Sequence, residues 1–322
     1  MEHLILVQWF CNCTLIHYLA HQIGKNFTEY GFGVTRAPQT VIDKLKKRLY
    51  DGLSKEQIYQ EKKIACVETD IQPYFFPDLA MNKEIMNELL PLHEAWSGVK
   101  LVPNNAYGLR AYRNGTNLLM HVDKTETHII SSILHVDHGE KDEPWPLLIE
   151  GFDGNFHEVY LESGDMLFYE SSKCLHGRPK TFNGEFYSSL FIHYYPVDWD
   201  YETIDLETHY RIPPMDVWNH AKPRPENETV EELTLIETSY KELACPNSWC
   251  GTLNPIKHYG PAPGYGKIAT PGGVMELRDI PSEESFYPSS YKKRLEEMIE
   301  NNSADEDVDH HHGHELSERN EL

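Results

Sequence analysis

His121-Val122-Asp123 and His176, which lies 53 residues beyond Asp123, are the residues of this 322-residue sequence whose types and spacing best suit chemistry. Two imidazoles and one carboxylate occupy one face of a divalent first-row metal, Fe(II) above all. They leave positions open for a bidentate co-substrate and O2. In extended chain an H-x-D step puts both side chains on the same face, so the third ligand must arrive from a distant strand. A second H-x-D competes for the role. His135-Val136-Asp137, with His138 beside it, falls 39 residues before His176. His157 and His193 read as hydrogen-bonded strand histidines. The cluster His310-His311-His312-Gly313-His314 could take up a divalent ion adventitiously, but in an acidic tail it reads as solvated. No H-E-x-x-H is present to supply the helix-borne general base of a zinc hydrolase.

The elements that must position these groups are short strands. From about residue 100 the sequence runs through LVPNNAYGLRAY, THIISSILHV, FHEVYLES, DMLFYES and EFYSSLFIHYY, separated by clusters such as Phe152-Asp153-Gly154-Asn155 and Ser163-Gly164-Asp165. Strands at that spacing without intervening helices predict an antiparallel sandwich or barrel. Ahead of them, Val41, Ile42, Leu45, Leu49 and Leu53 fall at helical spacing within 39–53, with Asp51-Gly52 as a stop. Residues 82–96 place Ile85, Leu89, Leu90 and Trp96 on one side of a second helix, which Pro91 should kink or end. The expected division is helical support over 36–100, a β domain over 101–200, a Pro-rich, loop-rich extension over 201–300 with a short helix at 289–300, and an acidic disordered tail over 301–322.

The sequence around the first H-x-D resembles the prolyl 4-hydroxylase branch of the Fe(II)/2-oxoglutarate dioxygenases. That family writes Tyr-x-x-Gly-x-x-(apolar)-x-x-His-x-Asp, matched here in register by Tyr112-Arg113-Asn114-Gly115-Thr116-Asn117-Leu118-Leu119-Met120-His121-Val122-Asp123. Gly164-Asp165-Met166-Leu167-Phe168-Tyr169 then stands where the family carries a turn and an apolar strand before the distal His. The likeness covers roughly 105–196. It implies a mostly β, double-stranded β-helix (jelly-roll) fold with flanking helices, and His121, Asp123 and His176 as metal ligands. It also implies Fe(II), 2-oxoglutarate as co-substrate and ascorbate. One departure stands out. Prolyl 4-hydroxylases place a Lys or Arg nine or ten residues after the distal His to pair with the far carboxylate of 2-oxoglutarate, and here those positions are Glu185 and Phe186. A buried dicarboxylate still needs a donor or cation. The resemblance puts Tyr112 at the co-substrate contact. Arg178 is the preferred cation, with Lys180 also near; Tyr187 is in-facing if the preceding loop is one residue longer, and His135 sits at a strand position that often reaches the same carboxylate.

The expected activity is hydroxylation of a substrate, prolyl residues of a protein by default, or another side chain or a small molecule. The alternative is a pseudo-oxygenase that keeps the fold as a binding or scaffolding module. With 51 Asp+Glu against 29 Lys+Arg, a net charge of −22 argues against a general nucleic-acid partner. Nothing after residue 20 offers an 18-residue apolar span. Residues 4–20 are apolar enough for a secretory signal ending at Ala20, although no Lys or Arg precedes them, Gln8 and Asn12 interrupt them, and Tyr18 sits where a small residue belongs. The other readings of that stretch are a buried element or a mis-set start codon. Sequons at Asn12, Asn26, Asn114, Asn227 and Asn301 and the terminal Arg-Asn-Glu-Leu lean toward the secretory pathway and the endoplasmic reticulum lumen, with the cytoplasm as alternative. Of the cysteines beyond residue 20, Cys66, Cys174, Cys245 and Cys250, the last two are the nearest candidate pair.

Overall fold

The computed structural model describes residues 25–64, 66–199 and 255–287. The expectations for 1–20, for Cys245 and Cys250, for the helix at 289–300 and for the acidic tail lie outside them. Two helices and fourteen strands are described, in the order β1 (Phe32–Arg36), α1 (Gln39–Leu53), β2 (Val67–Glu68), β3 (Tyr74–Phe75), α2 (Leu79–Ser97), β4 (Leu101–Tyr112), β5 (Asn117–His121), β6 (Ile130–His138), β7 (Leu147–Glu150), β8 (Phe156–Tyr160), β9 (Asp165–Tyr169), β10 (His176–Arg178), β11 (Tyr187–Pro196), β12 (Ile256–Tyr259), β13 (Lys267–Thr270) and β14 (Gly273–Glu276). Residues 281–287, with a short 3-10 turn at Glu283–Phe286, belong to a separate unit. Among the described residues no helix is long and apolar enough to cross a membrane.

The strands form an eight-stranded sheet, β14-β13-β1-β9-β6-β11-β4-β3, and a six-stranded sheet, β12-β8-β7-β10-β5-β2. Alternation along the strands turns one set of side chains from each sheet toward the other. Phe32, Ile133, Leu167 and Tyr169 of the larger sheet share one core with Leu147, Ile149 and Val159 of the smaller. Tyr112 and Tyr187 share a second with Val67, Leu118, Trp145 and Phe182. The result is a mostly β double-stranded β-helix with two helices packed on its outside.

Helix α1 buries Val41, Ile42, Leu45 and Leu49, as their spacing predicts. Gly52 lies against the Phe76 ring, and the helix continues one residue past it to Leu53. Asp78 caps α2 by accepting the Met81 N–H at 3.0 Å, and Gly98, at φ 70°, closes it with its N–H on the Glu94 carbonyl. The helix runs through Pro91 rather than ending there. Burial of Leu89, Leu92, His93 and Trp96 around the proline offsets the one missing backbone donor.

Four of the strands were not evident from composition. Strand β1, two of whose first three residues flank a glycine, sits between β13 and β9 in the larger sheet. Residues 256–259 and 267–276, within the stretch read as loop-rich, add β12 to one sheet and β13 and β14 to the other. These late strands are mostly exposed, so they lack the apolar alternation that marks a half-buried strand.

Candidate metal centre and its cavity

Strand β5 ends at His121, and β10 begins at His176 directly opposite it in the antiparallel ladder. Their ring centroids are 4.4 Å apart. Asp123 follows on extended chain, its N–H bonded to the Ser171 carbonyl at 2.9 Å. Gly177 makes this pairing possible. A Cβ there would stand 2.8 Å from the Leu119 carbonyl oxygen, so any side chain would push β10, and His176 with it, away from β5.

The geometry suits a metal. His121, Asp123 and His176 each offer a ligand atom, and the three atoms lie within 4.8 Å of one another. His121 Nε2 is 3.7 Å, and His176 Nε2 4.0 Å, from Asp123 Oδ1. Each imidazole is turned by a backbone carbonyl: His121 Nδ1 donates to Leu119 O at 2.7 Å and His176 Nδ1 to Cys174 O at 2.9 Å. That fixes the proton on Nδ1 and leaves both Nε2 lone pairs facing the carboxylate. Burial, helped by nearby His121, lowers the His176 pKa to about 4, so the ring is neutral. Burial alone would raise the Asp123 pKa, but the surrounding imidazoles, His176 first, then His193, His121 and His128, bring it down to about 2. A carboxylate held ionised beside a neutral His176, with the His121 Nε2 turned toward it, is the kind of donor set a metal requires.

The other oxygen of Asp123 is also held. Tyr169 donates its hydroxyl to Oδ2 at 3.2 Å, while its ring stands edge-on to His176. His193 Nδ1 lies 3.8 Å from Oδ2 and is tied to Ser131 Oγ at 2.9 Å. Ser131 in turn bonds Ser171, whose hydroxyl donates to the His128 carbonyl. The His128 ring stacks on His193 at 3.9 Å. His193 is thus a hydrogen-bonded strand histidine, as expected, that also stands beside the Asp123 carboxylate.

These groups line a cavity of about 380 Å³, whose wall also includes Asn105, Tyr107, Arg110, Tyr112 and Phe191. Two buried arginines stand nearby in different electrostatic states. Arg110 grips Glu61 with both Nε and Nη2, at 2.7 and 2.8 Å, and donates from Nη1 to the Tyr112 hydroxyl at 2.9 Å. Its charge is balanced. Arg178 is 2% exposed and donates only to neutral groups, the Trp145 carbonyl and the Tyr187 hydroxyl at 3.2 Å. Its guanidinium lies over both of those rings, 4.7 and 4.4 Å from their centroids. No carboxylate among the described residues pairs with it.

Of the residues expected to hold the co-substrate, Tyr112 stands in the cavity wall. Arg178, Tyr187 and His135 form a cluster behind it, with Tyr187 and His135 stacked at 3.9 Å. Tyr187 faces inward, whereas Phe186 packs outward on Tyr50 and Glu185 is exposed. Lys180 is also exposed, near Glu143. The second H-x-D does not converge with His176. His135 bonds through both nitrogens, to Ser188 O and to His138, while Asp137 pairs with Lys46 and Tyr50. His157 is held between Asp153 and His258. Arg110, Glu61, Tyr169 and His128 escaped the reading of the sequence. Arg110 carried a usable signal, since it stands two residues before Tyr112 and shares its face.

No family model and no curated protein matches the chain. Solved structures do. The chain is similar in fold to 2-oxoglutarate–Fe(II) oxygenases, prolyl hydroxylases among them. A Pseudomonas putida prolyl-4-hydroxylase aligns over 52% of this chain and 94% of its own at 14% identity, with a TM-score of 0.41. HygX from Streptomyces hygroscopicus, solved with nickel, 2-oxoglutarate and hygromycin B, covers 53% of this chain and 84% of its own at 12% identity and TM-score 0.40. A Trichoplax adhaerens prolyl hydroxylase in complex with a hypoxia inducible factor peptide fragment covers 59% and 92% at 10% identity and TM-score 0.39.

Proposed function

We propose that this protein is an Fe(II)- and 2-oxoglutarate-dependent dioxygenase that hydroxylates a polypeptide, with prolyl residues as the default target. The observation that carries the reading is the pair of Nε2 lone pairs and the Asp123 carboxylate converging beside a cavity. His121, Asp123 and His176 would hold the iron. When bound, it would couple the O2-driven decarboxylation of 2-oxoglutarate to succinate and CO2 with transfer of the second oxygen atom of O2 into a substrate C–H bond. The chain's own task is to orient and to exclude. The Leu119 and Cys174 carbonyls fix the two rings, and Tyr169 takes Asp123 Oδ2 so that Oδ1 faces the imidazoles.

Arg178 is assigned to the far carboxylate of 2-oxoglutarate, with the Tyr187 hydroxyl beside it. A buried guanidinium without an anionic partner is costly until an anion arrives, and Arg110 is already matched by Glu61. This supplies from β10 the cation that Glu185 and Phe186 do not. Ascorbate enters as the auxiliary reductant of such enzymes. The sequon acceptors Asn26 and Asn114 are exposed, which suits a glycoprotein of the secretory pathway.

The test is succinate release from 2-oxoglutarate after anaerobic loading with Fe(II) and admission of O2, with and without ascorbate. Release by wild type and not by Asp123→Ala supports the reading. Iron bound without succinate, with prolyl peptides also supplied, would favour the pseudo-oxygenase.

A further inference from the structure

A second cavity, of about 600 Å³, lies between the end of α1 and the start of α2. An aromatic ladder joins the two. Tyr107 stands in the wall of the metal cavity, and Phe75 lies 4.8 Å from it, ring to ring. Tyr59 lies 6.3 Å beyond Phe75, and both of these line the second cavity. Tyr59 is 55% exposed. The ladder therefore runs from solvent to the wall of the metal cavity.

The wall of the second cavity carries four cations, Lys44, Lys47, Arg48 and Lys55, against two acids, Asp51 and Asp78, on a chain whose net charge is −22. Residues 44–63 contain seven Lys or Arg against three Asp or Glu. One of those acids, Glu61, is engaged by Arg110 and Tyr107. Of the lining cations, Lys44 is matched by Glu84 and Glu88, and Lys47 has an exposed partner in Asp51. Lys55 is exposed and has no ion-pair partner among the described residues. Arg48 donates to the carbonyls of Phe76 and Gly108 and to Asn82 Oδ1, and its Nε is buried without a partner. Its charge meets no carboxylate hydrogen bond. Burial lowers its pKa to about 10, which leaves it protonated at neutral pH. Of the acids in the wall, Asp51 pairs with Lys47, and Asp78 caps α2 by accepting the Met81 N–H while its charge also acts on Arg48. Lys62 and Lys63, both exposed, flank the chain between Glu61 and Ile64, and Ile64 reaches the metal cavity.

We propose that this annex docks the acidic flank of a polypeptide whose reacting residue enters the metal cavity along the aromatic ladder. The inference rests on the oxygenase reading for the chemistry, but binding at the annex does not require turnover. A short acidic segment senses local charge, because salt screens beyond a Debye length of ~8 Å. A long polyanion such as a nucleic acid would instead have to cross the acidic remainder of the surface. The aromatic faces accept apolar and prolyl side chains between the acidic ones.

The test is fluorescence anisotropy with two labelled 12-residue peptides on the full-length protein: one alternating Glu and Pro, its counterpart alternating Lys and Pro. The acidic peptide should bind, more weakly as salt rises, and the basic one should not. Lys47→Glu/Lys55→Glu, two exposed changes, should weaken binding at least tenfold, and Tyr59→Ala should weaken it independently of salt. Equal binding of both peptides, wild-type affinity in both variants, or stronger binding of a single-stranded oligonucleotide would overturn the proposal. Peptide binding without succinate release would refute the oxygenase reading and leave the annex standing, whereas succinate release without charge-selective binding would do the reverse.

Discussion

His121-Val122-Asp123 and His135-Val136-Asp137 are the same tripeptide in one molecule, and the fold gives them opposite fates. The first closes β5 with both polar side chains toward His176. The second lies within β6, where the ladder to β11 slips: Ser189 pairs with His135 and the adjacent Ser188 with Asp137. Val136 is therefore an extra residue, a bulge, and it reverses the alternation that an H-x-D step normally obeys. His135 stays inside on Tyr187, while Asp137 turns outward to Lys46 and Tyr50 of α1. The lone pairs differ as well. His121 bonds through Nδ1 to a carbonyl and keeps Nε2 free for the site, whereas both nitrogens of His135 are engaged. A ligand pair thus depends on register and on which nitrogen is left over, neither of which the tripeptide states.

The largest expected effect breaks that asymmetry. His121→Ala should reduce 2-oxoglutarate turnover to background. His135→Ala should retain metal and show its cost, about 1–3 kcal/mol for disrupted buried hydrogen bonds, in the unfolding midpoint. The two arginines give the next contrast. Arg178→Met should raise the half-saturating 2-oxoglutarate concentration by about 30- to 1,000-fold with metal binding kept, from the ~2–4 kcal/mol of a buried charge pair. Arg110→Met should instead lower stability by about 3–5 kcal/mol, because Glu61 would be buried unpaired; denaturant titration would separate the two. Tyr169→Phe sits at the smaller end. Freeing Asp123 Oδ2 should weaken Co(II) binding about 10- to 100-fold, as loss of an outer-shell partner usually does, while thermal stability changes little. An unchanged metal affinity would remove Tyr169 from the account.

Much of this architecture could be read from residues alone, for reasons that also explain the misses. The α1 face and the strand runs of the β region follow from apolar periodicity, which burial enforces. The convergence of His121, Asp123 and His176 follows from two strands meeting in one ladder. Local pattern could not reveal the bulge at Val136, because it exists only relative to β11. Arg178 could be named only as the cation nearest His176 in sequence, since its burial comes from Trp145 and Tyr187, 33 and 9 residues away. Strands β12 and β14 escaped because they lie at exposed sheet edges, where composition is under little pressure to alternate, and the four-residue β13 beside β14 buries only Ile268 fully. Pro91 does not end α2, because packing on both sides of it outweighs one lost hydrogen bond.

The most direct measurement is the binding of Co(II), as an optical surrogate for Fe(II), to wild type, His121→Ala and His135→Ala. The histidines of the 310–314 cluster would be replaced by Asn in all three, so that they do not take up the ion. The account predicts about one tightly bound ion per chain for wild type and His135→Ala, with the same absorption spectrum, and none for His121→Ala, as expected when one of three ligands is removed. A His121→Ala protein that keeps the ion, or a His135→Ala protein that loses it, would contradict the assignment of the centre.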